Sequence, residues 1–236
     1  GDRVYVEFGG KIIHDKHSAR VLPGYHEDVK FKLIKRLCRS GEAVFAVSAR
    51  DLYRARVRGD FKITYNKEVI RLLDEFKRRK LAVKYLVITM VDNKIKKSKI
   101  LKDFILKIKK RGISVYLFKP IPCYGTNKMK IDDLAKNPYI KSRNKLILII
   151  SPGGGSGKFG VCLNQIYHEM KLGRKPNYFK FETFPVHDLS LRHPLNLAYM
   201  AASADFFDKI MKDKRHGSAT SYNRDIDNYE ILQAVA

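Results

Sequence analysis

The sequence predicts an α/β fold with three layers and a mostly parallel sheet. Two observations carry this expectation. Short apolar runs alternate with amphipathic stretches of about 10–15 residues, the signature of βαβ units. Two of the runs, residues 85–91 and 145–150, are β-branched or apolar almost without interruption, as strands covered on both faces must be.

Each element follows from its residues. Val4 to Phe8 reads as a strand ended by Gly9-Gly10. Residues 26–39 have helical spacing, with Val29, Phe31, Leu33, Ile34 and Leu37 apolar on a lysine background, and Ser40-Gly41 stops them. Residues 43–47 form a short buried strand. Residues 67–80 are amphipathic through Val69, Ile70, Leu72, Leu73 and Phe76. The strand at 85–91 is followed by a helix at 100–110, capped by Gly112. A strand at 113–118 ends at Pro120 and Pro122. Residues 120–144 lack strong periodicity and are expected to be loop, with a short helix near 131–135. The strand at 145–150 is the most hydrophobic, and a helix over 157–172 follows it. Residues 178–181 suit a further strand. Residues 194–211 suit a long helix, with Pro194 in its first turn.

Composition narrows the functional classes. The longest clean apolar run, Leu146 to Ile150, is far shorter than the roughly 20 residues a membrane span needs. No charged-then-apolar segment opens the sequence, so no signal peptide is expected. Cys38, Cys123 and Cys162 are odd in number and dispersed, which argues against a disulfide framework and a cysteine zinc site. A reducing, cytoplasmic setting is expected. The net charge of +24 attracts polyanions. Its lysines are spread over helix faces without an aromatic stacking platform, so a solvated basic surface is preferred and nucleic-acid binding is the sharper alternative.

The strongest chemical signal is the segment Ser151-Pro152-Gly153-Gly154-Gly155-Ser156-Gly157-Lys158 between an apolar strand and a helix. Glycines reach backbone angles that gather successive N–H groups into an anion-binding concavity. The next helix would point its positive end at the same spot, and Lys158 adds a charge. Gly153, Gly154, Gly155, Ser156, Gly157 and Lys158 are therefore the expected ligand-binding set. The segment departs from the P-loop pattern twice. Pro152 stands where its first glycine belongs, and Phe159 stands where Ser or Thr would hold magnesium. A nucleotide is the ligand class that suits the loop, while magnesium would lack its usual ligand.

Beyond the loop, Val6-Glu7-Phe8-Gly9-Gly10-Lys11, Ser18-Ala19-Arg20-Val21-Leu22-Pro23-Gly24 and Arg58-Gly59-Asp60 with Ile63-Thr64-Tyr65 carry a resemblance. It continues through Lys136-Asn137-Pro138-Tyr139-Ile140, Phe181-Glu182-Thr183-Phe184-Pro185, His193-Pro194 and Tyr222-Asn223-Arg224-Asp225. These blocks resemble the bacterial family catalogued as domain of unknown function 1846. The resemblance implies a P-loop-like or Rossmann-like α/β domain followed by a second domain. Residues 1–236 would then be a single phosphate-binding domain, the amino-terminal half of a longer two-domain protein. Gly1, which is not methionine, and the helical pattern around Ala236 fit the same expectation.

Four residues complete the candidate site. Glu182 and Asp205 are the candidate catalytic carboxylates, and Arg20 and Arg224 the candidate phosphate partners. Asp92 at a strand end, and His193 before Pro194, are weaker candidates. His14 and His17 are three apart in an expected loop, which does not suit a metal, and no metal site is expected. The leading reading is a phosphate-ligand-binding domain, with a nucleotide preferred, of a hydrolase or transferase of a phosphorylated substrate. The rival is a noncatalytic nucleic-acid-binding or scaffold protein. No membrane partner is expected, and a homo-oligomer stays open.

Overall fold

The computed structural model describes residues 2–15, 19, 24–58, 61–124, 128–181 and 192–194, with the backbone at 210–211 and 219–220. Its centre is a six-stranded sheet of β1 (Val4–Phe8), β2 (Gly41–Ser48), β5 (Val83–Thr89), β6 (Ser114–Leu117), β7 (Leu146–Ile150) and β8 (Asn177–Phe181). The order across the sheet is β6-β5-β2-β7-β1-β8, and every neighbouring pair is parallel. A small antiparallel ladder, β3 (Val57–Arg58) with β4 (Ile63–Thr64), stands apart from it. The helices are α1 (Val29–Leu37), α2 (Ala49–Tyr53), α3 (Tyr65–Arg78), α4 (Asn93–Lys97), α5 (Lys99–Lys109) and α6 (Lys158–Lys171), with a 3-10 turn at Ile131–Lys136.

Strand alternation divides the interior into two cores. Phe45, Val47, Leu86, Ile88, Leu148 and Ile150 face one side, against Phe31 and Ile34 of α1, Val69 and Phe76 of α3, and Phe104 and Ile108 of α5. Val44, Ala46, Val87, Ile147 and Ile149 face the other, against Val161, Leu163 and Ile166 of α6 and Leu134 of the 3-10 turn. The result is the expected three-layer α/β arrangement. Phe76 joins helix to sheet: it stacks on Phe31 at 5.9 Å and meets Phe45 edge-on at 5.7 Å. β2, at the centre, is buried along its whole length. Gly41 lets β7 approach it, because a Cβ there would lie 2.8 Å from the Leu146 carbonyl oxygen.

Element ends lie within a few residues of expectation. Two short helices, α2 and α4, had no periodic signal because five residues are too few to show one. Side chains cap both: Ser48 accepts from the Asp51 amide at 3.2 Å, and Asp92 from the Ile95 amide at 2.7 Å. The helix expected over 194–211 needs correction at its end. Ile210–Met211 (β9) pairs antiparallel with Ala219–Thr220 (β10), so ladder pairing takes its backbone groups in place of helical turns. Residues 195–209 lie outside the described ones.

Candidate functional site

The glycine-rich segment occupies the point where the sheet changes direction. β7 is followed by α6 on the second face, whereas its neighbours β1 and β2 lead to α1 and to α2–α3 on the first. Chains leaving neighbouring strands toward opposite faces open a crevice beyond the carboxyl ends, where ligands of open α/β sheets bind.

Ser151 and Ser156 shape the turn from within. Both hydroxyls donate to the Gly153 carbonyl, at 2.7 and 3.0 Å, and the Gly153 amide donates back to Ser151 Oγ at 3.3 Å. Gly157 then takes a left-handed φ of +78° as the residue before α6. It faces Thr89, whose hydroxyl donates to the Ser156 carbonyl at 2.9 Å and lies 3.2 Å from the Val47 carbonyl. Tyr65 braces the other side: its hydroxyl lies 3.3 Å from Ser156 Oγ and accepts from the Ser48 amide at 3.2 Å. The ends of β2 and β5 and the start of α3 thus hold the loop from both sides.

Part of the loop's backbone is left without protein partners. The Ser156 amide closes a turn onto Gly153, but among the described residues no protein acceptor takes the amides of Gly154, Gly155 or Gly157. The first turn of α6 has no side-chain cap and no acidic residue. Lys158 is only 6% exposed. Its ammonium donates to Ser151 Oγ at 3.2 Å, and among the described residues it makes no ion pair. A buried ammonium with three donors and one such acceptor is undersatisfied. An anion before the loop would answer both shortages.

Three further groups lie on the neighbouring elements β1, α1 and α6. Lys30, buried, bridges the Gly9 carbonyl at 3.1 Å and the Asp15 carboxylate at 2.9 Å beside the end of β1. Glu7, 5% exposed, lies on the α6 side of β1 and accepts from the Tyr178 hydroxyl at 2.8 Å. Cys162 in α6 reports the local field. Burial, then Glu7, pushes its thiol well above the usual range, while Lys158 and Lys180 act the other way. Glu7, Thr89 and Tyr65 had no site role in the sequence reading. The one signal for Glu7 was a carboxylate inside an otherwise apolar strand.

Other sequence candidates fare differently. Arg20, Glu182, Asp205 and Arg224 lie outside the described residues, as do His17 and Asp60. Phe159 packs against Tyr178, ring centroids 5.6 Å apart, and offers no ligand to a metal. Asp92 is the cap of α4, so its carboxylate is already engaged. His14 lies 3.6 Å from Glu27. Among the described residues, no cluster of three or more His, Cys, Asp or Glu could hold a metal ion. Among them, too, no helix is long and apolar enough to cross a membrane.

The comparisons agree with the blocks quoted from the sequence. A family model described as "Domain of unknown function DUF1846, N-terminal" matches residues 1–236. A UPF0371 protein of Clostridium botulinum (strain Eklund 17B / Type B) is 41% identical over 242 residues, covering 99% of this chain and 47% of the relative. One from Streptococcus pyogenes serotype M28 is 43% identical over 238 residues, covering 98% and 47%. One from Clostridium tetani is 40% identical over 242 residues, with 99% and 47% covered. The chain spans about half the length of these curated relatives. It belongs to this family of unknown function, as its amino-terminal domain.

Proposed function

We propose that the loop from Gly153 to Lys158 binds the phosphate of a nucleotide or similar phosphorylated ligand, in a P-loop-like manner without the usual magnesium ligand. The observation that carries this reading is the set of three glycine amides, Gly154, Gly155 and Gly157, without protein acceptors, at the head of α6 and beside buried Lys158. Backbone amides, the helix dipole and one ammonium together supply what a diphosphate needs. The position at the change of sheet direction supports the same reading.

The whole protein would be a hydrolase or transferase of a phosphorylated substrate. In that scheme Arg20 or Arg224 offsets the remaining charge, and Glu182 or Asp205 serves as the catalytic carboxylate. Glu7 is a further carboxylate on the strand beside the loop. Residues 1–236 would be the phosphate-binding domain of a two-domain protein working in the cytoplasm.

Titration calorimetry tests the proposal with pyrophosphate, ATP, GTP, NAD and a sugar phosphate. Saturable binding of at least one is expected, weakened tenfold or more by Lys158→Ala. Thermal melts confirm that Lys158→Ala is folded, since it relieves a buried charge but loses the packing of a buried stem. Absence of saturable binding to every one of these ligands by folded protein refutes the reading.

A further inference from the structure

A different part of the molecule carries a second kind of site. Helix α1 has the sequence VKFKLIKRL, with no acidic residue. Its apolar stripe, Phe31 and Ile34, is spent in the first core. The exposed side carries Lys32, Lys35, Arg36 and Arg39, spaced three and four apart. The backbone continues its turn past Leu37, the Arg39 amide donating to the Arg36 carbonyl at 3.2 Å, so Arg39 stays in register. These four residues together line an open concavity of about 400 Å³. From Lys32 to Arg39 the strip runs about 10 Å along the helix.

The fold does not need this arrangement. Like charges three and four apart repel and weaken a helix by a few tenths of a kcal/mol per pair. The dipole rewards a cation or two at the carboxyl end of α1 but does not ask for four whose stems line one hollow. Helix α3 shows the alternative: Arg71 is paired with Glu68 at 2.8 Å and Arg79 with Glu75 at 2.6 Å. Among the described residues, none of the four cations on α1 makes an ion pair.

We propose that this face of α1 docks the phosphodiester backbone of a nucleic-acid duplex. Charge selects a polyanion, and the net charge of +24 extends the attraction beyond the strip. A membrane surface fits poorly, because an interfacial helix must offer apolar side chains to the bilayer and those of α1 are already buried. No aromatic ring lines the hollow, so backbone contact is favoured over base stacking on single strands. The strip recognises charge and spacing and carries no base readout.

The test uses fluorescence anisotropy with a labelled 20-base-pair duplex across about 50–200 mM salt. It compares the protein with a variant carrying K32Q, K35Q, R36Q and R39Q. A control, K102Q, K107Q, K109Q and K110Q, removes the same charge from exposed positions of α5 and its carboxyl end. Thermal melts confirm that all three are folded. The parent should bind with a steep salt dependence. The α1 variant should bind tenfold or more weakly, and its log–log salt slope should flatten by about 2–4, near 0.9 for each phosphate that is no longer neutralised. The control should change much less. Equal weakening in both variants, or no duplex binding, overturns the proposal. So does binding confined to anionic vesicles or to polyglutamate. Calorimetry with pyrophosphate on the α1 variant should be unchanged, which separates this site from the loop.

Discussion

Substituting alanine at Gly157 and at Gly155 places the same methyl group on two left-handed residues of one loop, with different consequences. At Gly155 φ is +73° and a Cβ would meet nothing within 4 Å. The cost there is the backbone term alone, about 1–2 kcal/mol for a non-glycine residue in the left-handed region. At Gly157 φ is +78°, and the Cβ would lie 2.9 Å from Thr89 Oγ1 and 3.0 Å from its Cβ and Cγ2. Thr89 cannot simply rotate away, because its hydroxyl is held against the Ser156 and Val47 carbonyls. Overpacking of this kind adds about 1–3 kcal/mol. The lower unfolded-state entropy of alanine offsets both substitutions equally. Gly157→Ala should therefore destabilise by about 1–4.5 kcal/mol net of that offset, and by about 1–3 kcal/mol more than Gly155→Ala. Urea unfolding followed by circular dichroism measures the difference. In a Thr89→Ala background, the penalty at Gly157 should shrink by about 0.5 kcal/mol or more, as for residues in contact. Two glycine variants equal within about 0.5 kcal/mol, or a penalty at Gly157 indifferent to Thr89→Ala, would refute the claim that Thr89 holds the loop against β5.

Other parts of the structure make equally definite statements. Tyr65→Phe removes the acceptor of the Ser48 amide and a partner of Ser156, so a destabilisation of about 1–2 kcal/mol is expected in the same assay; an unchanged midpoint would dismiss Tyr65 as a brace. Glu169 sits at the far end of α6. Burial alone would raise its carboxyl, but hydrogen bonds from Arg174 and Tyr139, with the charge of Arg3, hold it below the ordinary 4.5. Because the folded value is depressed, this stabilisation is complete above about 4.5 and fades as pH falls through the folded value. Glu169→Gln should lower stability at neutral pH and flatten the decline on acidification; a parallel decline in parent and variant would contradict it. The thiols should react in order of access. Exposed Cys123 comes first, then Cys38, whose thiol is pushed up to about 11 by burial and Glu42, and fully buried Cys162 only on unfolding. Rapid modification of Cys162 by a thiol reagent in the folded protein would show that the second core is open beneath the loop.

The alternation of strands and helices and the identity of the loop were legible in the residues themselves. Those signals are local. An apolar run such as Leu146–Ile150, or three consecutive glycines in the loop before Lys158, means much the same in any chain, because backbone preference and hydrophobic periodicity are carried by the residue types themselves. The insertion of β7 between β1 and β2 was not legible, since the strand order depends on pairings between residues more than a hundred positions apart. Nor could the chain announce that Thr89 and Tyr65 meet Ser156 across 67 and 91 positions, or that the Lys158 ammonium is enclosed rather than solvated. Side chains on separate strands carry no mark of one another along the chain. Packing the two faces of the sheet brings them together, and with them the loop's undersatisfied amides and its buried cation.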